Sequence, residues 1–227
     1  MQRKQFLRYM GVTLGVVALA ACGGGGDTAS TGTTDTLTAS LAASQQTTSS
    51  ATVSSLSPEE IAGLKFMREE EKLAHDVYVA LFDLWGANVF SQIALSETNH
   101  TETILALLTK YGIADPAAGK APGEFEDPAL QTLYNTLIAM GRPNLIEALK
   151  VGALIEETDI NDINEKKEVT DEADILNVYD SLLCGSRNHL RAFNGNLLAQ
   201  GVTYVPQVIT QAEWDAIANA PAETCGG

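Results

Sequence analysis

Basic residues are scarce in this chain: 14 Lys and Arg stand against 29 Asp and Glu, for a net charge of −15. That balance leaves no cationic surface of the kind phosphate backbones require, which excludes nucleic acid as a partner. No serine sits in a nucleophile elbow, no glycine-rich loop is built to cradle phosphate, and no Cys and His stand in an obvious catalytic pairing. A nucleophilic hydrolase therefore has no motif here. Strand pairs are also missing, so the fold class is all-α. Cysteine is limited to Cys22, Cys184 and Cys225.

The apolar run near the start, residues 10–21, is too short for a comfortable membrane span. It follows Arg3, Lys4 and Arg8 and ends in Leu19-Ala20-Ala21-Cys22, the three-part layout of a signal peptide with small residues before a cysteine. This end resembles a bacterial lipobox. Residues 1–22 then form a lipoprotein signal peptide, and lipid on Cys22 anchors the mature chain to the membrane without spanning it. The alternative is an ordinary signal peptide with an incidental cysteine. Gly23 stands where an Asp would retain a lipoprotein at the inner membrane of enteric bacteria. The expected address is thus the cell envelope, at an outer membrane, facing the periplasm or the exterior. Residues 23–56 are rich in Ser, Thr, Gly and Ala and read as a flexible tether.

The remaining residues, 57–227, read as one helical domain. Ser57-Pro58-Glu59-Glu60 is a capping box that opens a first long helix ending at Gly86. A second long helix runs from about Asn88 to Tyr111-Gly112, and a connection with Pro116, Gly119, Pro122 and Gly123 follows. A short helix opens at Asp127-Pro128. The third long helix begins at Pro143 or Asn144 and runs to about Ile163, the fourth begins at Asp171 and ends at Gln200-Gly201, and Thr210 caps a small helix around Trp214. Four long helices with a long, helix-containing crossover between the second and third, and a short C-terminal helix, is the layout of a ferritin-like four-helix bundle.

On the second helix, Glu97 and His100 are three apart and project from one face. The other long helices supply partners on their apolar stripes: Glu71, near Met67, Ala74 and Tyr78; Glu156, near Ala153 and Ile160; and His189, near Leu182 and Phe193. A carboxylate on such a stripe is costly unless a cation or proton compensates it. The candidate metal ligands are therefore Glu71, Glu97, His100, Glu156 and His189. The full di-iron pattern has a second Glu-x-x-His, but Ser186 stands three before His189. Two divalent ions carry four positive charges and the three glutamates only three negative ones, so Asp159, one turn after Glu156, is a sixth candidate. Tyr78 is expected to hydrogen-bond nearby, with Ser186 beside the site. His75 is expected to be exposed, as are Glu69, Glu70 and Glu157. Arg187 and Arg191 are expected to pair with carboxylates.

The segments at residues 67–78, 93–100, 152–160 and 186–193 together resemble the ferritin-like domain-of-unknown-function family 2202, in order and with similar spacing over about residues 56–220. The Glu71 to Tyr78 spacing also resembles the first-helix motif of rubrerythrins. The resemblance implies a ferritin-like fold with a metal site and no established reaction. Oxygen-rich ligands favour iron or manganese over zinc, one or two ions per chain. Three functions remain open: a redox-active or ferroxidase-like centre, a metal-binding protein without turnover, and a structural or partner-binding lipoprotein with a degenerate site. In an oxidising compartment Cys184 and Cys225 either form a disulfide tying the tail to the last long helix or stay as two thiols.

Overall fold

The computed structural model describes residues 56–225. The signal segment with Cys22, and the tether except for Leu56, lie outside them. The described residues form six helices and no strand: α1 (Pro58–Trp85), α2 (Asn88–Lys110), α3 (Pro128–Gly141), α4 (Leu145–Lys167), α5 (Ala173–Ala199) and α6 (Gln211–Ala218).

Local chemistry sets most of the boundaries. Ser57 Oγ accepts from Glu60 N at 3.2 Å while Glu60 Oε2 accepts from Ser57 N at 2.7 Å, so two of the donors left free at a helix start are satisfied reciprocally. Gly86, at φ 62°, supplies the left-handed turn that stops α1. Asp127 and Asn144 cap α3 and α4, and Thr210 with Glu213 repeats the capping box on α6. Helix α4 runs a turn beyond Ile163, to Lys167, because no glycine or proline interrupts residues 164–167.

The closest packing joins α1 to α2 and α4 to α5; α1 also meets α4, α2 meets α5, α3 covers α1 and α4, and α6 rests on α5. At the core Tyr78, Phe90 and Phe193 cluster, with ring centroids 5.3–6.3 Å apart. Phe193 lies flush against the backbone of α4 because residue 152 is glycine: a Cβ there would come within 2.3 Å of its ring.

The crossover between α2 and α3 is tied down by side chains of α1. Glu69 accepts from the backbone N–H groups of Glu126 and Asp127, Asp76 accepts from Gly123 N at 2.8 Å, and Arg68 forks onto Asp115. Glu157 does the same for the segment before α6, accepting from Tyr204 Oη at 2.7 Å and from Gln207 N and Val208 N. Glu69, Glu70 and Glu157, expected to be exposed beside the candidate ligands, are therefore not on the surface but 4 %, 6 % and 0 % exposed. Two of them saturate loop backbone that would otherwise be buried unpaired. The tail returns along α5, where Arg187 and Arg191 grip Glu223 and Cys184 is bonded to Cys225 with Cα atoms 5.5 Å apart. No helix among the described residues is long and apolar enough to cross a membrane.

Candidate metal centre

The five side chains expected as ligands converge from α1, α2, α4 and α5 at mid-helix. They form two overlapping groups, Glu71–Glu97–His100 and Glu97–Glu156–His189, in each of which the ligand atoms all lie within 4.8 Å of one another. Glu97 belongs to both. Its Oε2 is 2.8 Å from His100 Nδ1 and its Oε1 is 2.8 Å from His189 Nδ1, so the two oxygens of one carboxylate address two imidazoles. Glu71 Oε2 lies 3.2 Å from His100 Nδ1, and Glu156 Oε2 lies 3.4 Å from His189 Nδ1. The imidazoles stack with centroids 5.5 Å apart. His100 fits because residue 185 is glycine, where a Cβ would come within 2.5 Å of the ring.

Neighbouring hydroxyls orient these groups. Tyr78 donates to Glu156 Oε1. Ser96 Oγ lies 2.9 Å from His189 Nε2, which leaves Nδ1 facing the acids. Sequence reasoning missed Ser96: its partner is on another helix, and nothing in the local spacing of α2 announces it. Asp159 and Ser186 join neither group; Ser186 Oγ holds Asp159 Oδ2 instead. His75, half-buried, meets Asp76 and stands apart from the cluster.

The donor set fits a cation. Glu71 Oε1, Asp159 Oδ1 and His189 Nδ1 are buried without a hydrogen-bond partner, the last despite its closeness to Glu97, since the contact is not aligned for a hydrogen bond. Atoms of that kind lose solvation and gain nothing in return unless a cation or proton meets them.

Protons can play the cation's part. Burial alone would lower both histidines, but Glu97 and Glu71 outweigh it and raise His100 to about 12, and Glu97 and Glu156 raise His189 to about 10. Burial pushes Glu71 up to about 8 although His100 opposes it. Glu97 is buried too, yet His189 and His100 hold it well below the usual carboxylate range. Each group with a raised value binds its proton more tightly folded than unfolded. For the histidines the resulting stability is complete below about 6.5, their unfolded value, and is lost as pH rises through about 10 and 12; for Glu71 it is complete below about 4.5 and is lost through about 8. Glu97 contributes in the opposite sense, at the acid end. The melting temperature of the metal-free chain, measured in chelator, should therefore fall steadily between pH 7 and 10. A rise or a flat profile over that window would contradict the proton-filled cluster.

Residues 60–221 match the family described as Uncharacterized protein domain (DUF2202). The chain is 44% identical over 168 residues to uncharacterized protein MJ0754 of Methanocaldococcus jannaschii, covering 74% of this chain and 91% of that protein. Its fold is similar to a crystal structure of hypothetical protein MJ0754 from Methanococcus jannaschii, at a TM-score of 0.73 and 43% identity, covering 74% of this chain and 96% of the other.

Proposed function

Because the chain belongs to the DUF2202 family, whose description names no reaction, we propose its function from the site: a ferritin-like four-helix protein of the cell envelope that holds iron or manganese in a redox-active, ferroxidase-like centre. The observation that carries this reading is Glu97, whose two oxygens each face a different imidazole 2.8 Å away, the disposition of a carboxylate that bridges two positions. Glu71 and His100 would serve one position, and Glu156 and His189 the other. Asp159, steered by Ser186, would supply the fourth negative charge that residue 186 does not. The same reading places the protein on a lipid attached to Cys22.

Bound iron or manganese would supply one-electron redox chemistry. The chain's own contribution is positional and electrostatic. Ser96 anchors His189 at Nε2 and so keeps Nδ1 turned inward, Tyr78 holds Glu156 by one oxygen so that Oε2 stays free for the centre, and the apolar walls around Tyr78, Phe90 and Phe193 exclude water.

Elemental analysis of the full chain after anaerobic incubation with ferrous iron, or with manganese(II), should give one or two ions per chain. The ion should also raise the melting temperature, since a ligand that binds only the folded state stabilises it by about 2.7 kcal/mol at a hundred times its dissociation constant. Oxygen consumption on adding ferrous iron separates redox activity from passive holding. A chain that retains no metal, and whose melting point ignores the ion, has a degenerate site, and the structural lipoprotein reading replaces this one.

A further inference from the structure

Glu70 follows Glu69 and precedes Glu71, yet it serves neither the crossover nor the centre. Its carboxyl meets that of Asp162 on α4, and its Oε2 is buried with no hydrogen-bond partner. One turn back along α4, Asp159 presents a second oxygen in the same state, Oδ1, while Ser186 holds its Oδ2. Glu70 and Asp159 are each 6 % exposed, and Asp162 is half-buried. Glu69 and Glu157, by contrast, spend their oxygens on backbone N–H groups. The fold thus keeps two unsatisfied carboxyl oxygens that brace nothing, at a cost in desolvation.

Their order in space is informative. Asp162 is reached from solvent, Glu70 meets Asp162, and Asp159 acts electrostatically on Glu70 and on Glu71, Glu156 and Glu97 of the centre. Lys166, a turn beyond Asp162, acts electrostatically on both Asp162 and Glu70 while its ammonium lies over the Phe66 ring, 4.7 Å from the centroid, so one cation faces three carboxyl groups. From this arrangement we infer that Asp162, Glu70 and Asp159 form an admission path between α1 and α4, along which a divalent cation passes from solvent to the centre. The path rests on the metal-centre reading above. A hard divalent ion sheds water only where oxygen ligands replace it, and successive carboxylates provide that replacement between α1 and α4. They also concentrate cations at the mouth of the path.

Cobalt(II) is a suitable probe, since its visible absorption reports coordination without any turnover. The full chain is mixed rapidly with cobalt(II) chloride, as wild type, Glu70→Gln, Asp162→Asn and the exposed-acid control Asp83→Asn. Glu70→Gln and Asp162→Asn should each slow the absorption rise about tenfold, the low end of what an acidic funnel gives to a cation's on-rate, and reach the wild-type final amplitude. Asp83→Asn should match wild type in rate. Rates within about twofold of wild type for both path variants overturn the path and leave the centre standing. A fall in final amplitude in both variants overturns it as well, because the acids would then be ligands of the resting ion. A wild type that gives no cobalt signal removes the centre, and the path with it. Asp162 is half-buried, so Asp162→Asn carries the test even if Glu70→Gln fails to fold, and the metal-free melting temperature of each variant identifies such a failure.

Discussion

Glu97→Gln should abolish divalent metal uptake by the full chain, weakening it by more than about 100-fold, beyond the usual 10- to 100-fold loss from changing a residue that merely orients a ligand. The reason is the double role of this side chain: each of its oxygens faces a different imidazole, and it is the member common to both ligand groups. An amide keeps one oxygen, loses the negative charge and cannot bridge. Glu71→Gln and Glu156→Gln should do less, each impairing the position it serves, so a chain that holds two ions should hold about one, in keeping with one carboxylate per outer position. Elemental analysis and calorimetric titration of the three variants check the ranking. Equal losses in all three, or binding by Glu97→Gln within a few-fold of wild type, would remove the bridging role. Glu97→Gln should also lower the metal-free melting temperature, because two buried imidazoles lose the anion they share.

Gly152→Ala and Gly195→Ala, the same substitution on neighbouring helices, should move stability in opposite directions. Alanine is worth up to about 1 kcal/mol over glycine inside a helix. At Gly195, on the exposed side of α5, a Cβ meets nothing within 4 Å, so the gain is realised and the melting temperature rises. At Gly152 the Cβ would lie 2.3 Å, 2.4 Å and 2.6 Å from three atoms of the Phe193 ring. That ring is wedged against Tyr78 and Phe90 and cannot swing away. Overpacking of this kind typically costs about 1–3 kcal/mol, and a clash with a rigid ring belongs at the upper end. The net loss of about 2 kcal/mol corresponds to a drop of roughly 4–8 °C in a domain of this size. Thermal melts of the two variants, with Gly152→Ala/Phe193→Leu as a rescue, decide the matter. Destabilisation at both positions would mean that helix interior, not ring contact, sets the penalty.

Much of the helical layout was legible because helix ends announce themselves locally. Ser57 with Glu60, Gly86, and Thr210 with Glu213 carry their own chemistry within four residues. The candidate ligands are visible for equally local reasons: Glu97 and His100 stand three apart on one helix face, and Glu71, Glu156 and His189 sit on apolar stripes where a polar side chain needs an explanation. What stayed hidden depends on partners distant in sequence. Glu69 and Glu157 adjoin inward-facing candidates and so read as solvent-facing, yet loops at residues 126–127 and 207–208 fold onto them. Helical periodicity assigns a helix one inner face, whereas α1 is covered by α2, α3, α4 and the crossover on different sides. The link from Ser96 to His189 and that from Ser186 to Asp159 likewise join different helices.

Three consecutive glutamates on α1 point three ways: Glu69 to the crossover, Glu70 to Asp162, Glu71 to His100. Successive side chains on a helix are about 100° apart, so this trio works like a three-toothed key cut for one angular setting. A single residue inserted or deleted between Leu64 and Arg68 would turn the key by one tooth. An insertion would then offer Glu70 to the imidazoles, and a deletion Lys72, while the crossover lost its grip, even though net charge and helix propensity were nearly unchanged. Natural length variation in these chains should therefore fall in the turns and the tail, and the spacing from the capping box at Ser57 to Glu71 should behave as a fixed ruler.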